Sequence, residues 1–176
     1  MKLTDRDIKI IEYITEVKGA TISQIQLLFF PSYNMCGKRL KILVDNGYLK
    51  MKVHPILWKN VYYTKSLPSY HTLVVNEIML MFRDNIKFYQ REYKISKYAV
   101  DGLIILNNNK ILVIEVDIYN RTTSKKLLEV YNELLKTNTE VKIIIVSRNK
   151  RKLTKSEQVF VTNVGINEIE NLKHLV

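Results

Sequence analysis

The stretch from Thr21 to Thr64 constrains this chain more than any other. It opens with a short apolar-periodic segment, Ile22 to Phe30, which Pro31 and Ser32 interrupt. Proline disfavours helical backbone in the residue before it, so a first helix has to stop there. A second periodic segment runs from Tyr33 to Asn46. In it Cys36, Leu40, Leu43 and Val44 fall at i, i+4, i+7 and i+8, one face of a helix. Ser32 suits its N-cap, because a serine hydroxyl accepts from a free amide of the first turn. Gly47 suits the left-handed position just past its end. Two β-rich runs follow, Tyr48 to Val53 and Asn60 to Thr64, around the loop from His54 to Lys59.

Helix, turn, longer helix and two-stranded ribbon is the layout of a winged helix-turn-helix. In such motifs the N-terminal part of the second helix meets base edges and the first helix crosses the backbone. The expected base-reading residues are therefore Tyr33, Asn34 and Lys38. Arg39 and Lys41 on the helix, and Lys50, Lys52 and Lys59 on the wing, are the expected phosphate contacts. The plainer reading of the same residues is a solvated helix face. Upstream, Thr4-Asp-Arg-Asp7 resembles a capping box with Asp in place of Glu. Ile8, Ile11, Ile14 and either Tyr13 or Val17 give a support helix its apolar stripe, and Gly19 ends it. Trp58 at the wing tip is expected to pack against protein rather than touch bases.

The charge balance points to the same class of partner. The chain carries 28 Lys and Arg against 17 Asp and Glu, a formal net charge of +11, with a pI of about 9.6. Such a balance favours polyanions and speeds encounter with them. Residues 1–66 hold 11 basic and 5 acidic residues, so the remainder is basic as well. A membrane surface is the competing polyanion, but no basic amphipathic segment with exposed aromatics stands out. No apolar run approaches the roughly 20 residues of a membrane span. The charged start, Met1 to Asp7, does not read as a signal peptide. The single cysteine, Cys36, excludes an intrachain disulfide and falls on a core face. A cytoplasmic protein without a membrane partner is expected.

With 176 residues the chain has room for one large or two small domains. Lys65 to Ser69 is the expected linker, dividing a head of residues 1–66 from a second domain of residues 70–176. The second part reads as a helix from Tyr70 to Asp84, then strands from Phe88 to Ile95, Ala99 to Leu106 and Lys110 to Asp117. Asn107 to Asn109 is the expected turn between the last two, since Asn tolerates positive φ. A helix from Thr122 to Lys136 follows, with Leu127, Leu128, Val130, Tyr131, Leu134 and Leu135 inward. Val141 to Val146 is continuously apolar, as expected of a strand buried on both faces. After the basic run Arg148 to Lys155 come a strand from Val159 to Val164 and a last helix from Asn167 to Leu175.

Helix, three strands, helix and strand is the core order of the restriction-endonuclease-like fold. The expected class is thus α+β: an N-terminal winged helix-turn-helix followed by an α/β domain of that type. Nucleases of the fold carry an Asp on one strand and Glu-x-Lys on the next. The carboxylates hold a divalent metal that polarises the scissile phosphate, and the lysine orients or activates water. Here Asp101 stands in the second strand, and Glu115-Val116-Asp117 ends the third. Glu115 and Asp117 share a face because strand side chains alternate. Asp101, Glu115 and Asp117 are the candidate ligands for magnesium or manganese. Asp117 stands where the lysine would be. Arg121, Lys125 or Lys126 are the candidates to supply that charge from the following loop and helix. Catalysis is expected to be lost, so no cofactor is expected unless the nuclease reading holds. His71 reads as a helix-start residue rather than a ligand, and the absence of a Gly-rich phosphate loop argues against nucleotide hydrolysis.

The chain resembles the replication-relaxation proteins of bacterial plasmids, phages and integrative elements. The resemblance rests on Leu3 to Asp7, Ile10-Ile11, Leu27 to Pro31, Lys38 to Leu40, Leu43-Val44 and Gly47 to Leu49. It continues through His71 to Leu73, Asp101-Gly102, Glu115 to Asp117, Lys126 and Tyr131, and covers about residues 3 to 147. It implies a DNA-binding accessory of mobile-element replication, DNA relaxation or conjugative transfer. Its partners would be double-stranded DNA and a replication or transfer protein, with a homodimer as one possible state. A metal-dependent nuclease, a plasmid or phage transcription regulator and a protein adaptor are the competing functions.

Overall fold

The computed structural model describes residues 2–148 and 150–175 and is of the α+β class. It divides into two compact units, Met1–Glu77 and Ile78–Val176.

In the first unit the element order is α1 (Asp5–Glu16), β1 (Ala20–Thr21), α2 (Ile22–Phe29), α3 (Tyr33–Asp45), β2 (Lys50–Val53) and β3 (Asn60–Tyr63). The three strands form an antiparallel sheet in the order β1-β3-β2. The two-residue β1 has no sequence signature of its own. It pairs Ala20 with Tyr62 and Thr21 with Val61.

Local chemistry explains the helix boundaries. Thr4 caps α1 reciprocally: its hydroxyl accepts from the Asp7 amide at 3.3 Å, and its own amide donates to Asp7 Oδ2 at 2.7 Å. Thr21 and Gln24 repeat the arrangement at α2. Phe30, held extended before Pro31, ends α2, and Ser32 caps α3 through the Met35 amide. Gly47, at φ +77°, closes α3 in a Schellman motif. Its amide donates to Val44 O, and the Tyr48 amide donates to Leu43 O, both at 2.9 Å. Gly19 is required sterically as well, since a Cβ there would lie 2.7 Å from Pro68 Cγ.

Cys36, Leu40 and Leu43 point into the core, as their spacing predicts, beside Ile25, Leu49 and Tyr62. The stripe of α1 differs in part from expectation. Ile14 and Val17 are buried as expected, but Asp7 and Ile10 are buried with them and Ile8 is exposed. Asp7 itself faces inward, where Arg39 of α3 meets it. Arg39 Nε donates to Asp7 Oδ1 at 2.7 Å, and its Nη2 pairs with Oδ2.

The first unit runs past the expected boundary at residues 66 to 70. It takes in the first part of α4 (Tyr70–Phe82). Two buried amide side chains tie this part to the head. Asn76 Nδ2 donates to Gly19 O and Val17 O, and Gln24 Nε2 donates to Leu73 O and Glu77 Oε2.

After the 3-10 turn Arg83–Asn85, the second unit contains β4 (Ile86–Ile95), β5 (Tyr98–Leu106), β6 (Ile111–Asp117), α5 (Ser124–Leu135), β7 (Val141–Ser147) and β8 (Val161–Gly165). The five strands lie in sequence order, β4-β5-β6-β7-β8. The first three are antiparallel; β7 runs parallel to β6, and β8 parallel to β7. Asn109, at φ +66°, makes the turn before β6. Ile143, Ile144, Ile145 and Val146 are wholly buried, as a doubly covered strand requires. Leu127, Val130 and Leu134 of α5 pack on the sheet, but Leu128 and Leu135 are exposed. Inward positions recurring at i, i+3 and i+7 leave those two on the solvent side. The last segment, Ile166–Leu175, is a kinked 3-10 run rather than an α-helix.

The Asp7–Arg39 pair sets an expectation for stability. Arg39→Ala leaves a fully buried carboxylate with only Thr4 as partner and should cost about 3 kcal/mol in urea unfolding. The guanidinium holds the Asp7 carboxyl well below the usual carboxylate range. The stability this provides is present above the unfolded pKa, about 4, and is lost as pH falls below it. Arg39→Ala should therefore flatten acid unfolding below about pH 4.

Candidate functional site

The N-terminal part of α3 is open to solvent. Tyr33 is 55% exposed, and Asn34 and Lys38 are exposed beside it. Every residue of β2 is exposed, including Lys50 and Lys52, and Lys59 is exposed at the end of the connecting loop. Lys41 pairs with Asp45 at 2.8 Å across one helix turn. Such a surface pair is worth about 0.3–0.5 kcal/mol, so Lys41 exchanges partners readily. Arg39 is a correction to the expected phosphate contacts. Its guanidinium is spent on Asp7 and fixes α3 to the start of α1.

The loop between β2 and β3 is built on His54, which is buried. Its Nδ1 accepts from the amides of Ile56 and Leu57, both at 3.3 Å, and burial pushes the imidazole below its ordinary pKa. The Trp58 amide donates to His54 O at 2.9 Å, which closes the turn at φ +53° and aims the indole outward. Trp58 is 80% exposed, so the expectation that it packs is overturned.

The second unit gathers the expected carboxylates at one end of β5 and β6. Asp101 Oδ2 accepts from the Val116 amide at 2.7 Å, so the side chain takes over the ladder just beyond the Gly102–Ile114 pairing. Glu115 is buried and meets Lys126 of α5, whose Nζ lies 2.7 Å from Oε1. Thr122 bridges the two residues of β6. Its hydroxyl lies 3.1 Å from Glu115 Oε2 and 2.6 Å from Asp117 Oδ1, and its amide donates to Asp117 Oδ1 at 3.0 Å. Arg151, from the basic run, is turned inward. Its Nη1 donates to Thr122 O at 2.7 Å and lies 3.6 Å from Asp117 Oδ2, and its Nη2 donates to Glu157 Oε1 at 2.7 Å.

Of the three cations considered for the lysine role, the structure brings Lys126 to Glu115. Lys125, one residue earlier, and Arg121 in the preceding loop are exposed. Carboxylates of this kind are the ligands a hard divalent cation takes. Here, however, each already accepts from protein donors. Among the described residues no group of three His, Cys, Asp or Glu is placed to hold a metal ion. Thr122, Arg151 and Glu157 were not anticipated. Arg151 was legible only as one member of a charged run, and nothing in its spacing marks it as buried.

Burial raises the Glu115 carboxyl. Lys126 and Thr122 pull it back and Asp101 pushes it further up, leaving it at about 7.

No protein-family model matches the chain, and no curated protein matches it in sequence. The crystal structure of protein VC1899 from Vibrio cholerae is similar over 96% of this chain and 49% of that one, with 15% identity and a TM-score of 0.42. The chain therefore spans about half the length of that protein. Among the described residues no helix is long and apolar enough to cross a membrane.

The raised carboxyl gives a pH dependence with a definite sign. Between its ordinary value near 4.5 and about 7, folded Glu115 holds a proton that the unfolded chain has released. Its contribution is thus fully present below pH 4.5 and is lost as pH rises to about 7. Glu115→Gln should flatten the stability profile across that window in urea titrations. An unchanged slope would assign the dependence to another group.

Proposed function

We propose that the chain is a DNA-binding protein that docks on duplex DNA through a winged helix-turn-helix in its first unit. The observation that carries this reading is the open N-terminal face of α3, where Tyr33, Asn34 and Lys38 stand together. The order α1-β1-α2-α3-β2-β3, with β1 pairing β3, supports the winged form. A net charge of +11 supports a polyanionic partner. Tyr33, Asn34 and Lys38 read base edges in the major groove; Lys41, Lys50, Lys52 and Lys59 contact phosphates. The second unit is a restriction-endonuclease-like domain whose carboxylates serve the fold. Sheet order and the parallel β6-α5-β7 connection support that assignment. The resemblance of residues 3 to 147 to replication-relaxation proteins favours an accessory role in mobile-element replication, relaxation or transfer.

One observation favours a second reading. Lys126 Nζ lies 2.7 Å from Glu115, a position from which a lysine orients water at a metal-dependent nuclease site. In this reading Asp101, Glu115 and Asp117 exchange their protein donors for magnesium or manganese.

A titration with labelled duplexes, with and without magnesium or manganese and followed by a denaturing gel, separates the two. The accessory reading expects site-selective, salt-sensitive binding and intact DNA. Lys52→Ala should lower the salt slope by about 0.9, and Asn34→Ala should cost about 1–3 kcal/mol of discrimination at one base pair. Metal-dependent cutting that Glu115→Gln and Lys126→Ala abolish would establish the nuclease instead. No affinity for any duplex would refute both.

A further inference from the structure

The basic run after β7 is not a uniform charged surface. Arg151 is buried and paired, and Lys150 Nζ is held by Glu168 at 2.7 Å. Arg148 and Lys152 remain exposed. The loop that follows β6 lies against this run at two points. Arg151 Nη1 donates to Thr122 O, and the Arg148 guanidinium carbon stands 5.8 Å from the centre of the Tyr119 ring. Tyr119 is nonetheless 65% exposed. Arg121, next to Thr122 in the same loop, is exposed too. Among the described residues, none of Arg121, Arg148 and Lys152 has an acidic partner within ion-pair distance.

A single exposed tyrosine is common on protein surfaces; what distinguishes Tyr119 is its setting. Here the ring has a cation beside it, exposed Arg121 lies two residues further along the same loop, exposed Lys152 lies in the neighbouring run, and Arg151, between Arg148 and Lys152 in sequence, ties the two loops together. Stacking aromatics set among free cations are how proteins hold unpaired nucleotides: the ring takes a base and the cations take phosphates. In a duplex the base faces are already stacked on one another, so an aromatic ring gains nothing there. An acidic polypeptide would satisfy the cations and leave the ring unused.

We propose that Tyr119, Arg121, Arg148 and Lys152 form a stacking platform for single-stranded DNA in the second unit. It is a nucleic-acid site additional to the duplex-reading face of α3. The choice of DNA over RNA rests on the DNA reading of the first unit; the platform itself does not require that reading.

The test is fluorescence anisotropy of the full chain with a labelled twelve-nucleotide oligothymidylate, the matching oligouridylate and a duplex. Tyr119→Ala and Arg148→Ala should each weaken oligothymidylate binding about tenfold and leave duplex binding unchanged. Tyr119→Phe should retain binding, because the ring and not the hydroxyl is used. Arg121→Ala and Lys152→Ala should each lower the single-strand salt slope by about 0.7. All four side chains are outside the core, so thermal unfolding should not move and loss of binding reads as loss of contact. Oligothymidylate binding that Tyr119→Ala leaves intact would overturn the platform. So would tighter binding of oligouridylate, or equal displacement of wild type and Tyr119→Ala by polyglutamate. Absence of duplex binding with Tyr119-dependent single-strand binding would remove the α3 reading and leave the platform standing.

Discussion

The first unit depends on one carboxylate. Asp7 caps α1 through Thr4 and, from the same side chain, takes the Arg39 guanidinium of α3. A buried carboxylate is expensive unless it is paired and hydrogen-bonded, and this one is both. The pair converts a helix N-terminus into an anchor for α3, and the Schellman closure at Gly47 then fixes where α3 gives way to β2. Between these two points the core face of α3 is determined by Cys36, Leu40 and Leu43, so Tyr33, Asn34 and Lys38 have no choice but to face out.

In the second unit the same physics has a different result. Three acids at one end of a sheet repel one another and resist burial. The structure neutralises them with donors from four places: the Val116 amide, Thr122, Lys126 and Arg151. At Glu115 burial still outweighs Lys126 in setting its protonation. The Arg151 clamp also has a consequence outside the core. By holding the loop after β6 against the loop after β7, it leaves Tyr119 beside Arg148, with Arg121 and Lys152 exposed on the same two loops.

Much of this arrangement could be read from local signals. Proline, glycine and capping residues marked the helix ends of the head, and alternation or continuous apolar character marked the strands of the sheet. What could not be read was long-range pairing of charge. Asp7 looks like an ordinary first-turn acid; with it facing inward, Ile10 is buried and Ile8 is exposed, while Ile14 and Val17 are inward as expected. Arg39 looked like one of several surface cations. Arg151 sat unmarked in a basic run, and Lys126 was indistinguishable from Lys125 until the helix phase was known. The boundary of the first unit was missed for a related reason: Asn76 and Gln24 reach across long sequence separations to backbone carbonyls. Trp58 was misread because the turn on His54, not hydrophobicity, sets its direction.

The proposed duplex-binding surface consists of α3 and the β2–β3 ribbon. Amide hydrogen exchange of the full chain, with and without a saturating DNA duplex, is the measurement to make. Added protection is expected in peptides covering residues 33–41 and 50–60, with the amides of α1 unchanged. Protection confined to the second unit, or none while the duplex is bound, would contradict that assignment.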